Sequence, residues 1–396
     1  MGRQMSRRRD VAVKNTLRLT ALGAALAIGL TACGGSGAGS NSGDTAKKNP
    51  SDLTIGVSMP TQTSERWIAD GNAVKSQLED AKYKVDLQYA NDDIPTQGQQ
   101  IDQMITEGAD LLVVAAIDGT ALSSQLQAAA DANIPVISYD RLIRDTPNVD
   151  FYVSFDNYKV GVAQGTALLV GLGVLNKDGS KGTATGPFNI EVFAGSLDDN
   201  NAAFFFNGAM DTLKPYIDDG TLVVKSGQTK IEQAATLRWA QETAQKRMED
   251  LLTGSYNDGS KVNGVLSPYD GISRGIITAL QNAGYGPNLT SSPTPLPVIT
   301  GQDAEIASVK LINDGVQSST IFKDTRKLAA EAVTAAKAFL EGNKPEANDT
   351  KTYDNGVKVV PSYLLPIETV YKDNIQQTLI DSGYWTADEV AKGQAD

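Results

Sequence analysis

The sequence predicts an α/β protein whose mainly parallel sheets are divided between two lobes. Its 396 residues exceed the size, about 250 to 300 residues, at which one hydrophobic core stops growing. From Leu53 onward, short apolar runs rich in β-formers alternate with longer stretches of helical periodicity, which is typical of βα units. Ten such runs are more strands than one ordinary open sheet holds, so we expect more than one lobe.

The predicted elements follow the chain in a regular order. The strands are LTIGVSM, VDLQYA, ADLLVVAAI, IPVISYD, FYVSFD, FNIEVFAG, TLVVKSG, VNGVLSP, LPVITGQD and SSTIFKD. Between them, AATLRWAQETAQKRMEDLL and RKLAAEAVTAAKAFLEG predict helices, and the second ends at Gly342, a residue type common just beyond a helix C-terminus. The late run VVPSYLLP carries prolines near both ends and suits an edge strand or a crossover.

The N-terminus has the composition of a secretory signal. Four arginines among the first nine residues precede an apolar stretch, 19–30, that is shorter than a membrane span of about 20 residues. The sequence LTAC resembles a bacterial lipobox, which implies that residues 1–32 are a lipoprotein signal peptide and that the sole cysteine, Cys33, is lipidated. The alternative is an ordinary signal peptide before a buried free cysteine. The Gly/Ser-rich residues 33–51 predict a flexible tether.

Composition excludes several classes of function. The formal net charge is −12, and no basic cluster follows the N-terminus, so we expect no nucleic-acid partner. The chain has no histidine, which removes His-dependent nucleophile activation and the commonest metal ligand. We therefore expect no catalytic residue, metal or cofactor, and a ligand that is neutral or cationic.

Polar and aromatic residues follow at least seven of the predicted strands. The carboxyl ends of parallel strands share one rim, where ligands bind. The residues predicted to lie at this rim are Arg66, Trp67, Asp140, Arg141, Asp156, Asn157, Asp199, Asn200, Asn201, Tyr269, Asp270, Asp303 and Lys323, with Trp239 in or before the next helix. Charged and amide groups hold the hydroxyls of a neutral polyol, and an indole covers the apolar face of a pyranose. Taken singly, each aspartate or asparagine can instead be a helix N-cap, each cation solvated and each tryptophan part of a core.

Seven short motifs carry a resemblance to a known family. TSERW, SYDRLIR, FDN, DDNNAAFFF, SPYDG, GQDAE and IFKDT, in this order, resemble the periplasmic sugar-binding receptors of ABC transporters. The likeness is closest to the ChvE-type multiple-sugar receptors and to xylose-binding proteins, and it extends from about Leu53 to Trp385. It implies a type I periplasmic binding protein with two Rossmann-like, doubly wound lobes joined by a three-segment hinge. The implied lobes are 52–154 with 302–350, and 155–301 with 351–396.

The resemblance also implies a role for each rim residue. Arg66 would hold a ring hydroxyl or the ring oxygen, and Trp67 and Trp239 would sandwich the pyranose. Asp140 and Arg141 would grip adjacent hydroxyls. The remaining implied residues are Asp199, Asn201, Asp303 and Lys323 in the hydrogen-bond shell and Asn157 at the hinge. Xylose-binding proteins carry Asn-Asp in place of Tyr269 and Asp270, so which of these two faces the sugar stays open.

The function that the resemblance implies is transport. A monomeric receptor, anchored by its lipid to the outer face of the cell membrane, would bind an aldose of the xylose, glucose, galactose or arabinose type and deliver it to an ABC permease. The alternative is a sugar sensor that presents its bound ligand to a signalling receptor. A third class, a carbohydrate hydrolase using Asp140 and Asp303, is disfavoured because pairing with Arg and Lys keeps carboxylates ionised, whereas a general acid needs a raised pKa.

Overall fold

The computed structural model describes residues 48–395, so the predicted signal peptide, Cys33 and most of the predicted tether lie outside the described residues. The described strands are β1 (Thr54–Met59), β2 (Lys84–Tyr89), β3 (Leu111–Val114), β4 (Val136–Tyr139), β5 (Phe151–Phe155), β6 (Phe188–Val192), β7 (Leu222–Val224), β8 (Gly264–Leu266), β9 (Val298–Ile299), β10 (Thr320–Phe322), β11 (Ser362–Leu365) and β12 (Glu368–Val370). The described α-helices are α1 (Glu65–Asp80), α2 (Ile94–Thr106), α3 (Ser123–Asp131), α4 (Asn157–Gly171), α5 (Asn200–Asp218), α6 (Ile231–Ala234), α7 (Gln241–Ser255), α8 (Asp270–Asn282), α9 (Ile306–Asn313), α10 (Thr325–Leu340) and α11 (Ala387–Lys392).

The first sheet is parallel throughout and has six strands in the order β2-β1-β3-β4-β5-β11. Strands β3, β4 and β5 are buried at every position, as expected for strands with helices on both faces. The apolar sides of α1 and α10 pack on one face, and those of α2 and α3 pack on the other. This sheet and its helices form the first lobe.

The second sheet is also parallel and has the strand order β7-β6-β8-β9. Helices α4 and α5 cover one face, and α7 and α8 cover the other. A parallel bridge between Gln302 and Ile321 continues the sheet to β10, which pairs antiparallel with β12. Together with α9 and α11, which share a smaller apolar cluster, these elements form the second lobe.

Aspartates begin several helices at the carboxyl ends of strands. Asp93, Asp156, Asp199 and Asp324 each accept a hydrogen bond from a backbone N–H in the first turn of α2, α4, α5 and α10, respectively. Such side-chain caps satisfy amides that have no partner within the helix. The N-cap alternative is therefore confirmed for Asp156 and Asp199, the two of these four that were predicted at the rim, and Asp199 also lines the cavity.

The chain crosses between the lobes three times, between Phe155 and Asn157, between Phe322 and Thr325, and between Leu365 and Glu368. The boundaries expected at 302 and 351 are wrong. Residues 302–322 belong to the second lobe because β10 continues its sheet, and β11 belongs to the first lobe because it pairs with β5. The local pattern of a strand does not reveal which sheet it joins.

The predicted α/β class with parallel sheets is confirmed. Nine of the ten predicted strand runs contain one of the strands β1 to β10 in full, and the run VDLQYA contains all of β2 except its first residue, Lys84. The run VVPSYLLP contains β11 at the edge of the first sheet, while the three-residue β12 was missed. The helix predicted over AATLRWAQETAQKRMEDLL is broken, because Arg238 and Trp239 have φ of 55° and 56° and only α7 continues the pattern. Within residues 48–395, no helix has the length and hydrophobicity needed to cross a bilayer.

Candidate functional site

A cavity of about 350 Å³ lies between the two lobes, at the carboxyl ends of their strands. Ten of the twelve predicted site residues line it, and they are Arg66, Trp67, Asp140, Arg141, Asp199, Asn201, Trp239, Tyr269, Asp303 and Lys323. Their positions follow from the fold, because all except Trp239 lie shortly after a strand or in the first turn of the following helix, and Trp239 lies in the turn between α6 and α7. The sequence argument from shared strand ends thus brings most of these residues to one place.

Arg66 is the centre of a buried charge cluster in the first turn of α1. Its guanidinium contacts Asp140 and lies 3.0 Å (Nε to Oδ2) from Asp70 and 3.7 Å (Nη1 to Oδ1) from Asp303. Burial alone would lower the pKa of Arg66, but the carboxylates of Asp140 and Asp70 outweigh it and raise that pKa well above its ordinary value. The guanidinium is therefore a permanent cation with a fixed orientation.

Two of the carboxylates that contact Arg66 have pKa values shifted in opposite directions. Burial raises the pKa of Asp70 to about 6, against the charge of Arg66 and a hydrogen bond from the Tyr139 hydroxyl. Burial also acts on Asp140, but Arg66 and Lys323 together overcome it and lower the pKa of Asp140. Asp140, whose carboxylate lines the cavity, is therefore an ionised hydrogen-bond acceptor at neutral pH.

A second ion pair crosses the cavity between the lobes. Nε of Arg141, in the first lobe, lies 3.1 Å from Oδ2 of Asp199, in the second, while Nη1 of Arg141 donates to the carbonyl of Ala116. The other oxygen of Asp199 accepts the Asn201 N–H and so caps α5. Burial raises the pKa of Asp199, and the charge of Arg141 opposes this shift. One aspartate thus serves both as the N-cap of a helix and as a wall of the cavity.

Lys323 and Asp303 form the third pair. Lys323 lies at the second crossover, is only 1% exposed, and places Nζ 2.9 Å from Oδ1 of Asp303. The ammonium group also lies 5.7 Å and 5.5 Å from the ring centroids of Phe155 and Phe205, within the range of cation–π attraction. Asp303 has a φ of 92°, so its backbone is held in a region that residues other than glycine rarely adopt.

Two indole rings face the cavity from opposite lobes. The Trp67 ring is 6% exposed, belongs to the core of the first lobe, and has the guanidinium carbons of Arg66 and Arg141 at 4.9 Å and 5.0 Å from its centroid. Trp239 is half-buried and lies edge to face with Phe205 and Tyr269, with both centroid distances at 6.2 Å. Aromatic surface is therefore available on two sides of a bound ring.

Two predicted site residues do not line the cavity. Nδ2 of Asn157 donates to Asn201 and to the Tyr152 hydroxyl, so the Asn157 side chain joins the start of α4 to α5 and β5 and does not line the cavity. Asp270 is fully buried, and its carboxylate accepts hydrogen bonds from Gln317, from Thr320 and from the Glu305 N–H. Of the pair left open, Tyr269 lines the cavity and Asp270 does not.

Asp156 and Asn200 also lie outside the lining. The prediction fails at these positions because the first residues of a helix point in different directions. Asp156 caps α4 and pairs with Lys159 on the surface.

The sequence and the fold of this chain are similar to those of known proteins. A model of the periplasmic binding protein domain matches residues 55–344 of the chain, which is more than half of it. The chain belongs to the periplasmic binding protein family. Members of this family are solute-binding receptors, not enzymes, so the hydrolase alternative is set aside and the type I fold expected from the motifs is confirmed.

Three relatives of this binding protein illustrate the likeness. The multiple sugar-binding periplasmic receptor ChvE of Rhizobium radiobacter is 56% identical over 337 residues, which are 85% of this chain and 92% of that protein. The D-xylose-binding periplasmic protein of Escherichia coli (strain K12) is 35% identical over 86% of this chain and 93% of its own. A solved ABC transporter solute binding protein from Clostridium phytofermentans, with bound β-D-glucose, superposes with a TM-score of 0.78 at 46% identity, covering 85% of this chain and 99% of its own. The resemblance of the seven motifs to sugar receptors is thereby confirmed.

The structure also adds lining residues that the motifs did not single out. They are Thr61, Thr63, Ser64, Asp92, Phe205, Arg238, Ala240, Gln241, Glu242, Gly271, Arg274 and Gln302. Ser64 lies three residues before Trp67, Arg238 lies directly before Trp239, and Asp92 follows β2, so an equal examination of every strand end would have found some of them. With these additions, five acidic and five basic side chains line the binding protein's cavity.

A polar network centred on Glu305, which was not among the predicted site residues, joins the lobes beside the cavity. Glu305 accepts hydrogen bonds from Ser64 of the first lobe (2.9 Å) and from Tyr269 (2.6 Å) and Arg274 (2.7 Å) of the second. Glu65 of the first lobe accepts the Ile306 N–H at the start of α9. Burial, followed by the neighbouring charge of Glu305, raises the pKa of Glu65. The two lobes thus contact each other beside the ligand cavity.

The cavity has the character of a polar binding site and not of a metal centre. Within residues 48–395, no group of three or more cysteine or acidic side chains is placed to hold a metal ion. Three of the five acidic residues that line the cavity, Asp140, Asp199 and Asp303, instead form ion pairs with two arginines and a lysine.

Proposed function

We propose that this protein is a lipid-anchored, extracytoplasmic receptor that binds an aldose monosaccharide as a monomer and delivers it to an ABC permease. The observation that carries the proposal is the lining of the cavity, in which five acidic and five basic side chains balance each other around two indoles. A cavity with no excess charge selects an uncharged ligand over an ion, because neither sign is compensated on binding.

The chemistry of the lining matches a polyol. Each sugar hydroxyl can donate to a carboxylate and accept from a guanidinium or ammonium group, and bonds to ionised partners are the strong ones. Asp140 with Arg66, Asp199 with Arg141, and Asp303 with Lys323 offer three such donor and acceptor pairs. Trp67 and Trp239 would cover the apolar C–H surfaces of the ring. These eight residues, with Asn201 and Tyr269, are the proposed ligand-binding set.

The size of the cavity favours one sugar ring. Its volume of about 350 Å³ lies near the lower end of the range of small-molecule pockets, about 300 to 1,000 Å³. The relatives support this class of ligand, because one is named for multiple sugars, one for D-xylose, and the solved relative holds β-D-glucose. The proposed ligands are therefore aldoses of the glucose, galactose, arabinose and xylose type.

The binding experiment is a calorimetric titration against glucose, galactose, arabinose, xylose and fucose. At least one should bind, and Asp303→Asn should weaken it, because the amide no longer supplies a charged acceptor beside Lys323. Asp250→Asn, an exposed i,i+4 pair member on α7, is the matched control and should bind as the wild type does. Absence of binding to every sugar of the panel would refute the receptor proposal.

Closure and anchoring are tested separately. Bound sugar should close the lobes about the three crossovers, so a scattering profile unchanged by saturating sugar would contradict hinge motion.

Acylation at Cys33, which lies outside the described residues, should hold the protein on the membrane, since lipid chains bury apolar methylenes. Cys33→Ser should release it or leave it unprocessed, and an unchanged membrane fraction would count against the anchor.

A further inference from the structure

The loop that presents Asp303 to the cavity has a strained backbone. Asp303 and Ala304 have φ of 92° and 50°, although neither is glycine. L residues avoid this region because Cβ approaches the neighbouring carbonyl, so such a conformation persists only where its surroundings impose it. Asp303 nevertheless contacts both Lys323 and Arg66, which lie on different lobes. The position of this carboxylate therefore depends on whatever holds the loop.

Backbone hydrogen bonds to Ile321 hold Gly301 and Asp303, and one buried carboxylate holds the two residues that follow them. Oδ2 of Asp270 accepts the Glu305 N–H at 3.0 Å and the Thr320 hydroxyl at 3.1 Å, and that same hydroxyl accepts the Ala304 N–H at 3.1 Å. The backbone N–H of Asp270 donates to the carbonyl of Gln302 at 3.1 Å. Asp270 thus fixes the backbone on both sides of Asp303 without lining the cavity itself.

The Asp270 carboxylate fits beside the loop because the neighbouring residue, Gly301, has no side chain. Oδ1 of Asp270 accepts from Nε2 of Gln317 at 2.8 Å, and a Cβ at Gly301 would lie 2.1 Å from that oxygen and 2.4 Å from that nitrogen. A glycine at 301 is therefore required for the pair to form. On the other side of the loop, the indole N–H of Trp385 donates to the Ala304 carbonyl at 2.9 Å. Trp385 thus restrains Ala304 from the other side of the same loop.

We propose that Asp270 is a positioning residue for ligand binding, whose carboxylate acts through the strained loop to place Asp303 against Lys323, Arg66 and the ligand. This inference rests on the proposed function, since it assigns a role within the same site. It also distinguishes Asp270 from its neighbour Tyr269, which lines the cavity directly. The role requires an acceptor at position 270, because the three side-chain contacts of Asp270 all come from donors.

The principal variant is Asp270→Ala, compared with Asp270→Asn. The alanine removes the acceptor for Glu305 and Thr320, and we expect the affinity for the best-bound sugar to fall about tenfold or more. The asparagine keeps an amide oxygen for the same two donors, and Gln317 can turn its own amide to match, so most of the affinity should remain. Equal losses in both variants would mean that an acceptor oxygen at position 270 is not what supports binding, and the positioning role would be wrong.

A double-mutant cycle tests whether the effect passes through Asp303. If Asp270 acts by placing that carboxylate, Asp270→Ala should cost far less affinity in an Asp303→Asn background than in the wild type. Additive losses would overturn the proposal. Where Asp270→Ala does not fold, Thr320→Val replaces it in the cycle, because it keeps the side-chain volume and removes the only hydroxyl between Asp270 and the Ala304 N–H.

Hydrogen exchange in sugar-free protein separates this inference from the proposed function. The amides of Ala304 and Glu305 should exchange faster in Asp270→Ala than in the wild type, while the core strand β3 should be unchanged. Unchanged protection of both amides would refute the positioning role even if sugars bind normally. If the amides exchange faster in the variant but the wild-type protein binds no sugar of the panel, the receptor proposal is refuted, and Asp270 positions the loop without a role in sugar binding.

Discussion

The cavity has two walls that are built in different ways. The Trp67 wall, defined here as Arg66, Trp67, Asp140 and Arg141, belongs to the first lobe, and its aromatic ring is 6% exposed and part of that lobe's core. The Trp239 wall, defined as Phe205, Trp239 and Tyr269, belongs to the second lobe. Its tryptophan lies on a turn with positive φ, outside any regular α-helix.

Because the walls are built differently, substitutions in the Trp67 wall should lower both stability and ligand affinity, whereas substitutions in the Trp239 wall should lower mainly ligand affinity. Side chains of the Trp67 wall are tied to a helix, a sheet and a buried charge cluster, so changing them disturbs the fold as well as the ligand site. The Trp239 ring rests on Gly195 and on two other aromatic edges, and its indole nitrogen has no hydrogen-bond partner. Changes there should affect the ligand more than the fold. The following predictions test this contrast.

The largest effect is expected at the charge cluster. Arg66→Met would leave Asp70, Asp140 and Asp303 without their shared guanidinium, and removing one partner of a buried charge set costs about 3 to 5 kcal/mol of unfolding free energy. Arg238→Met is the matched control near the other wall, where the ion pair to Asp198 is partly exposed and worth about 0 to 1 kcal/mol. Urea unfolding measures both, and equal losses would remove the contrast between the walls.

Trp67→Ala should destabilise the fold by about 3 kcal/mol, the lower end of the range for a buried tryptophan, because one side of the ring faces the cavity. Sugar affinity should fall as well. Trp239→Ala should leave the thermal midpoint much closer to that of the wild type. The measurement is a thermal melt of both variants beside a titration. A normal melting temperature for Trp67→Ala would place Trp67 outside the core.

Asp70, which pairs with Arg66 of the Trp67 wall, should give stability a pH dependence. The pKa of Asp70 is about 6 in the folded protein and about 3.9 in an unfolded chain, so the folded state binds its proton more tightly. Its contribution is fully present below pH 4 and is lost as pH rises through 6, with a total of about 3 kcal/mol at 1.36 kcal/mol per pKa unit.

The variant Asp70→Asn has no titratable group at position 70. The difference in unfolding free energy between the wild type and this variant should therefore change across pH 4 to 6 and stay constant above about pH 7. Urea titrations at a series of pH values measure this difference. A difference that does not vary with pH would show that Asp70 has an ordinary pKa.

The smallest effect is expected at Gly195, beneath the other wall. A Cβ there would lie 2.0 Å from Cη2 of Trp239, so Gly195→Ala must displace the ring. We expect about a tenfold loss of sugar affinity, or about 1.4 kcal/mol, similar to Trp239→Ala, and no further loss when the two are combined. Gly254→Ala on α7 meets no atom within 4 Å and serves as the control. Additive losses would show that Gly195 acts independently of the ring.

Sequence reasoning found the walls because they lie at strand ends. Runs of apolar residues identify parallel strands, and the carboxyl ends of those strands converge, so Arg66, Asp140 and Asp303 could be placed together without coordinates. The same rule could not tell Tyr269 from Asp270. Adjacent residues at the start of a helix point about 100° apart, and which of them meets the cavity is decided by packing against Gln317 and Thr320.

Features that depend on distant parts of the chain were not predictable in this way. The left-handed turn at Arg238 and Trp239 interrupts a sequence with good helical periodicity, and it is held by the Ser196 hydroxyl, which accepts the Arg238 N–H. The contact between Ser64 and Glu305 joins residues 241 positions apart. Such contacts override local preference, because tertiary packing contributes more than propensity does.

The bond between Glu65 and the first turn of α9 has a consequence for how affinity can be tuned. This carboxylate of one lobe caps a helix of the other, and it lies outside the lining of the cavity. The free energy of closing the lobes therefore includes a part that the ligand does not supply. The apparent affinity is the intrinsic affinity multiplied by the population of the closed state that can bind the ligand. Residues in this contact between the lobes therefore change the affinity for every ligand by the same factor. Selectivity among sugars and the overall affinity for sugar can accordingly change independently during evolution. The first changes through residues that line the cavity, and the second through the contact between Glu65 and α9.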